Sequence, residues 1–279
     1  MTILGWSDVG ENGHLVVAGV EDFYDARAYF ASRLLKTTPV NQGKWQTLDI
    51  SKSSAHATYE LLNATFWYQM PVSYGEAQHM IHPDLPWAEA HFQERIGGAP
   101  INPGVEHANW PYHANGAELH LKDGIYDHNY MERMWPKYLD IRHRGQDWDQ
   151  GQAFTGYRYH VGDLNDVITQ LSTEPGTRQA YLPIWFPEDT GATQGQRVPC
   201  SLGYHFIVRG GILHLQYNLR SCEIYRHFTN DIYMAVRLAQ HVRDELDLAG
   251  YEVELGQLTT HIVSLHGFVA DHNKIENMT

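Results

Sequence analysis

Two strand-like runs, residues 203–208 and 212–219, flank Arg209-Gly210-Gly211 and constrain the fold more than any other stretch of the chain. In the second run Leu213, Leu215, Tyr217 and Leu219 alternate with His214, Gln216, Asn218 and Arg220. A period of two marks a strand with one buried face. Glycine accepts positive φ at no steric cost, so the Gly-Gly pair predicts a tight hairpin.

The hairpin has a chemical consequence. Cys200 lies ten residues before Gly210, and Arg220 and Ser221 lie nine and ten after Gly211, so pairing the strands brings them together. A guanidinium beside a thiol favours the thiolate, which is the nucleophilic form. Arg220 and Ser221 can also hold an anion through charge-assisted hydrogen bonds. The competing reading is a buried, inert cysteine at a strand start, a common fate for free cysteine.

Composition narrows the class. The 279 residues carry a net charge of −13, against the basic footprint of a nucleic-acid groove. A single phosphate needs only a few local cations, so a mononucleotide ligand stays open. Mean hydropathy is −0.44, and no apolar run is long enough to span a membrane. Two cysteines make no disulfide framework and suit a reducing, cytoplasmic setting. Among 18 histidines, His120, His128 and His143 are scattered without zinc spacing, so no metal is expected. One domain spanning 1–279 is expected, with a loop-rich insertion at about 97–130 of Gly, Pro, Asn and His.

Further elements follow from pattern. Asp22 to Leu35 has apolar residues at helical spacing. Thr58 to Phe66 reads as a core strand. Pro86 precedes a helix carrying Glu89, and Leu164, Val167, Ile168 and Leu171 mark another, ended by Glu174-Pro175-Gly176. After Asp231, a stripe of Ile232, Ala235, Val236, Ala239, Val242 and Leu246 predicts a long amphipathic helix.

Pro199-Cys200, the hairpin, and Arg220-Ser221-Cys222-Glu223 resemble the thymidylate synthase superfamily, most closely its deoxycytidylate hydroxymethylase branch found in phages. The resemblance implies an α/β (α+β) fold, a large mixed sheet flanked by helices, with one sheet face packed in a homodimer. It implies 5-hydroxymethylation of a cytidine monophosphate, dCMP first, with 5,10-methylenetetrahydrofolate as co-substrate. Methylation of the same nucleotide, action on CMP or dUMP, and a silent nucleotide-binding relative remain alternatives.

Carried over residue by residue, the resemblance makes Cys200 the nucleophile and Asp231 the base reader. Arg220, Ser221, Lys52 and, from the partner subunit, Arg178 would meet the phosphate. His266 would hold the sugar, with Phe268 where a tyrosine is usual. Glu89 would be the general acid/base, with Glu60 and Glu94 as competitors. Trp135, Tyr138 and Glu223 would border the folate. The family's active-site tyrosine has no clean counterpart near Thr155-Gly156, where Tyr157 is the candidate. Asp231 follows Asn230, and a one-residue slip would exchange a carboxylate for an amide and restore uracil preference. Asp231 as a helix cap is the plainer alternative.

Overall fold

The computed structural model describes residues 3–8, 14–20, 23–45, 48–112, 121, 123–138, 161–190 and 196–279. Its centre is a seven-stranded mixed sheet in the order β1-β2-β5-β9-β8-β7-β6. The strands are β1 (Ile3–Asp8), β2 (His14–Val20), β5 (Thr58–Gln69), β6 (Tyr181–Pro183), β7 (Ser201–Arg209), β8 (Ile212–Glu223) and β9 (Glu254–Phe268). A two-stranded ribbon, β3 (Lys44–Trp45) and β4 (Leu48–Asp49), stands apart. Pairs β2/β5 and β8/β9 are parallel, and the remaining neighbours are antiparallel.

The predicted hairpin is present. Arg209 faces Ile212 across a turn in which Gly210 and Gly211 have φ of 59° and 78°. Two consecutive positive φ values suit the right-handed twist of the flanking strands. Side chains Leu213, Leu215, Tyr217 and Leu219 are buried, as the alternation required. In β5 the alternation resets at Asn63, at φ 58°, so that Leu61 and Ala64 both turn inward.

The helices are α1 (Phe23–Leu34), α2 (Tyr74–Ile81), α3 (Trp87–Ile96), α4 (Tyr130–Met134), α5 (Leu164–Thr173), the short α6 (Pro187–Thr190), α7 (Phe228–Leu248) and α8 (His272–Glu276). Asp163 caps α5 through a reciprocal capping box with Asp166. α7 is the crossover between parallel strands β8 and β9. Its stripe Ile232, Ala235, Val236, Ala239, Val242 and Leu246 is fully buried. Phe228 at its start joins Phe23, Phe30 and Phe66 in an aromatic cluster beneath the sheet.

Among the described residues no helix covers the other sheet face. Thr65, Trp67, His205, Ile207, His214, Asn218, Thr259 and His261 are only half-buried there, and Val263 is 40 % exposed. Among the described residues no helix is long and apolar enough to cross a membrane.

Candidate active site

The site lies at the carboxyl end of β8, where the chain turns into α7. Ligand sites favour this position because strand ends and the following helix start leave backbone groups and loops free. Cys200 immediately precedes β7 and is partly exposed. The backbone N–H of Arg220 donates to the Cys200 carbonyl at 2.9 Å, so the predicted pairing holds. The Arg220 guanidinium donates to the carbonyls of Pro199 (2.8 Å) and Val198 (3.1 Å) and lies 3.9 Å from the Cys200 sulfur. These bonds fix the arginine to the loop carrying the thiol.

The thiol's acidity differs from the sequence expectation. Burial pushes Cys200 upward and the nearby Asp231 carboxylate adds to this, while Arg220 and Arg197 pull it down. The net direction is upward, so the thiol of the free protein rests protonated. Arg197 was missed from sequence. It sits just upstream in the same loop, and its backbone N–H donates to Asp127 at 2.9 Å.

Asp231 and Asn230 diverge. Asn230 donates to the Asp84 carboxylate at 2.8 Å and accepts from the Asp84 N–H at 3.0 Å, which ties it to the turn before α3. Asp231 turns the other way and accepts from the Cys222 thiol at 3.6 Å. The helix starts earlier than expected, with His227 as its cap residue, so Asp231 lies inside the first turn and is no cap. Burial raises its carboxyl to about 6, opposed by the charge of Arg95.

A hydroxyl network backs the thiol. Ser201 donates to the Tyr130 phenol oxygen at 3.2 Å and shares a 2.6 Å bond with Tyr217, whose ring stacks on Tyr204 at 4.5 Å. Burial holds the Tyr130 phenol protonated, and the charges of Cys200 and Asp231 add to that. Tyr157, the candidate from sequence for an active-site tyrosine, lies outside the described residues. The signal available for Tyr130 was the Asn129-Tyr130 start of α4, which sequence pattern alone did not separate from the loop.

The loop-rich stretch also reaches the site. The Trp110 ring stacks on His227 at 5.3 Å, Tyr112 meets Tyr225 edge-on at 5.8 Å, and Arg226 lies over the Tyr112, Tyr225 and Phe268 rings. This makes an aromatic wall beside His266, whose ring meets Phe268 at 5.9 Å. Burial keeps His266 and His227 neutral, His227 down at about 4.

Several expected residues stand elsewhere. Glu89 is gripped by Arg237 (2.7 and 2.8 Å), Tyr233 (2.6 Å) and Gln93 (2.8 Å). Burial raises its pKa, but these bonds outweigh burial and hold the carboxyl at about 2. Tyr233 is about 200° round α7 from Asp231. Glu89 is thus an ion-pair anchor between α3 and α7, and an acid held at about 2 has no proton to give near neutrality. Of its competitors, Glu60 accepts from Ser264, and Glu94 binds His91 and the Glu106 N–H. Trp135 is 3 % exposed in the core, donating to the Arg95 carbonyl, so its ring has no free face for a folate. Glu223 is buried and accepts from the N–H groups of Tyr225 and Arg226, closing the turn into α7. Tyr138 is 54 % exposed on a short 3₁₀ turn, and Lys52 and Arg178 are exposed on turns. Ser221 pairs with Ser264 beside Cys200's partner Arg220. His128 bonds the Arg197 carbonyl, and His120 and His143 lie outside the described residues. No group of three metal-binding side chains occurs among the described residues.

A strand-start cysteine, a guanidinium on its loop and a buried carboxylate at the head of the crossover helix thus stand at one end of the sheet. Comparison supplies the family. The model of the family described as thymidylate synthase matches residues 123–277. A protein of Methanococcoides burtonii named "Putative thymidylate synthase" is 28 % identical over 159 residues, 56 % of this chain and 70 % of its own length. A protein of the same name from Methanosarcina acetivorans is 27 % identical over 146 residues, 52 % of this chain and 64 % of its own. The thermostable thymidylate synthase A of Bacillus subtilis superposes with a TM-score of 0.63 at 16 % identity, covering 92 % of this chain and 83 % of that one. The chain belongs to the thymidylate synthase family. One-carbon transfer to a pyrimidine nucleotide, with methylenetetrahydrofolate as donor, is that family's chemistry.

Proposed function

We propose that the protein transfers a one-carbon unit to carbon-5 of a cytidine monophosphate, dCMP first, and completes the reaction with water to give the 5-hydroxymethyl product. The observation that carries this reading is the Asp231 carboxylate bonded to the Cys222 thiol, beside the Cys200 loop, while Asn230 is bound to Asp84. A carboxyl group matches the amino hydrogen and ring nitrogen of cytosine. The Cys200 sulfur, losing its proton, adds to carbon-6, which makes carbon-5 nucleophilic. Arg220 and Arg197 stabilise the sulfur anion as it forms. Methylenetetrahydrofolate supplies a carbon at the formaldehyde level of oxidation. That carbon would join carbon-5; loss of the carbon-5 proton would then expel tetrahydrofolate and leave an exocyclic methylene, to which water adds as the Cys200 sulfur departs.

Arg220 and Ser221 bind the nucleotide phosphate in this reading, and His266 meets the sugar. Trp110, Tyr112 and Tyr225 present aromatic faces suited to a planar heterocycle such as a pterin. We assign them the folate-bordering role first expected of Trp135 and Tyr138. The sheet face that no described helix covers, with Trp67, Ile207 and Val263, is the surface on which two copies would pair. Arg178 flanks that face, its carbonyl bonded to His205, and would reach the phosphate held by the partner.

A second reading, thymidylate synthesis from dUMP, is favoured by the names of the relatives. Mass spectrometry separates the two after incubation of dCMP, CMP and dUMP with methylenetetrahydrofolate. A hydroxymethyl gain on a cytidine nucleotide, absent with Cys200→Ala, supports the proposal. A methyl gain on dUMP alone replaces it with the second reading.

A further inference from the structure

We propose that Glu60 binds the sugar of the nucleotide by accepting a hydrogen bond from its 3′-hydroxyl. This rests on the reading of Ser221 as a phosphate ligand and His266 as the group that meets the sugar. Glu60 is half-buried near the start of β5. In the register of the sheet it stands directly opposite His266 of β9, and Leu62, two residues on, stands opposite Ser264. Ser264 in turn pairs with Ser221 of β8. Side chains opposed in this way, and those two residues apart on one strand, share a face of the sheet. Glu60, Ser264, His266 and Ser221 therefore form one polar patch across three adjacent strands, spaced about 4.8 Å apart. All four are half-buried, so the patch keeps surface for a ligand.

Side-chain bonding agrees with the register. The Ser264 hydroxyl donates to Glu60 Oε1. Among the described residues Glu60 Oε2 accepts no hydrogen bond, and no cation forms an ion pair with the carboxylate. A carboxylate can accept about four hydrogen bonds, so Glu60 has acceptor capacity to spare, and a ligand that meets it must bring a donor. Phe268, whose ring meets His266 edge-on, has no polar atom on its side chain.

A 2′-deoxynucleoside monophosphate carries a single sugar hydroxyl, at carbon-3′. With the phosphate on Arg220 and Ser221 and the base on Asp231, the sugar lies between them, against β9. A hydroxyl donates one hydrogen bond and accepts others. The 3′-hydroxyl can donate to Glu60 Oε2 and accept from the N–H of neutral His266. The two side chains are complementary as a pair, because they supply the acceptor and the donor that one hydroxyl needs. Ser264 holds the carboxylate on the side of the patch where Ser221 stands. Glu60 is thus a substrate-binding residue, and it reads the sugar as Asp231 reads the base.

Titration calorimetry without folate tests this with dCMP and 2′,3′-dideoxycytidine monophosphate, which lacks the hydroxyl. The parent should bind dCMP about tenfold or more tightly, the range of a hydrogen bond to a charged group. Glu60→Met matches the length of the side chain and removes its carboxylate. It should bring the two dissociation constants together by weakening dCMP and leaving the dideoxynucleotide unchanged. A preference for dCMP that survives Glu60→Met overturns the proposal. Equal weakening of both nucleotides also overturns it, since that marks a merely structural role. The 3′-amino-2′,3′-dideoxy analogue needs no variant. At a pH where its amine is protonated, the parent should bind it at least as tightly as dCMP. Binding as weak as that of the dideoxynucleotide overturns the proposal, whether or not Glu60→Met folds. His266→Ala separates the two layers. If it abolishes the preference while Glu60→Met leaves it intact, only the role of Glu60 fails. If the parent shows no preference, the sugar site fails, His266 with it. If cytidine nucleotides do not bind, dUMP and its dideoxy analogue make the same comparison. A preference lost there in Glu60→Met upholds Glu60 while the cytidine reading fails.

Discussion

Replacing Asp231 by asparagine should stabilise the nucleotide-free protein, by an amount that grows with pH. The carboxyl rises from 3.8 to about 6 on folding because burial outweighs the Arg95 charge and the Cys222 hydrogen bond. A carboxyl whose folded value lies above its unfolded value favours folding at low pH. That advantage is lost as pH rises through the folded value. Linkage over this interval puts the cost of Asp231 at about 0.5 kcal/mol at pH 4 and about 3 kcal/mol at pH 7.5, relative to a group that never ionises. The stability gap between Asp231→Asn and the parent should therefore widen by about 2 kcal/mol between those pH values. Urea unfolding of both proteins, at one protein concentration and both pH values, measures the gap from midpoint shifts at constant slope. A gap that is the same at pH 4 and pH 7.5 would refute the reasoning, since it would mean Asp231 is solvated in the folded chain.

Glu89→Gln should cost about 1–3 kcal/mol by weakening the Arg237 and Tyr233 bonds, yet leave turnover per folded molecule unchanged; thermal melts and kcat on the same sample check both halves. The Glu89 carboxyl, depressed to about 2, adds stability above its ordinary value that fades as pH falls towards 2, so the variant's deficit should shrink in acid. Trp110→Ala should raise the KM for methylenetetrahydrofolate about tenfold with little change in nucleotide affinity, the loss expected of one ring stack in a steady-state assay. Gly203→Ala should destabilise by about 1–3 kcal/mol, because its added carbon would meet the Leu182 carbonyl oxygen at 2.8 Å on the neighbouring strand; chemical denaturation reads this directly.

The parts legible in the sequence were those set by short-range pattern. Period-two alternation and a Gly-Gly turn place Cys200 against Arg220 with no knowledge of the rest of the chain, and α7 announces itself by its apolar stripe. The separation of Asn230 from Asp231 was not legible. Both lie in one helical turn, and only a side-chain direction differing by about 100° sends one to Asp84 and the other to Cys222. Arg95 read as an ordinary basic residue in the last turn of a helix, where solvation is the default, and only tertiary packing on Tyr130 buries it. Trp135 misled for the converse reason. An indole three residues from a tyrosine suits a ligand wall or a core equally, and the core took it. Glu89 was placed by its helix position, which cannot reveal that Arg237, distant in sequence, claims its carboxylate. The Trp110 wall lay in a stretch whose glycines and prolines read as loop, and such a stretch carries no periodicity from which to aim a ring.

In the proposed reaction Cys200 attacks carbon-6 of a pyrimidine that Asp231 selects as cytosine. Fluorine at carbon-5 cannot leave as a cation, so a 5-fluoro nucleotide that receives the one-carbon unit stays attached to the sulfur. The most direct measurement is the mass of the Cys200 peptide after incubation with methylenetetrahydrofolate and either 5-fluoro-dCMP or 5-fluoro-dUMP. A stable adduct on Cys200 is expected with the cytidine analogue and little with the uridine analogue. An adduct with the uridine analogue alone, or none on Cys200 with either, would contradict it.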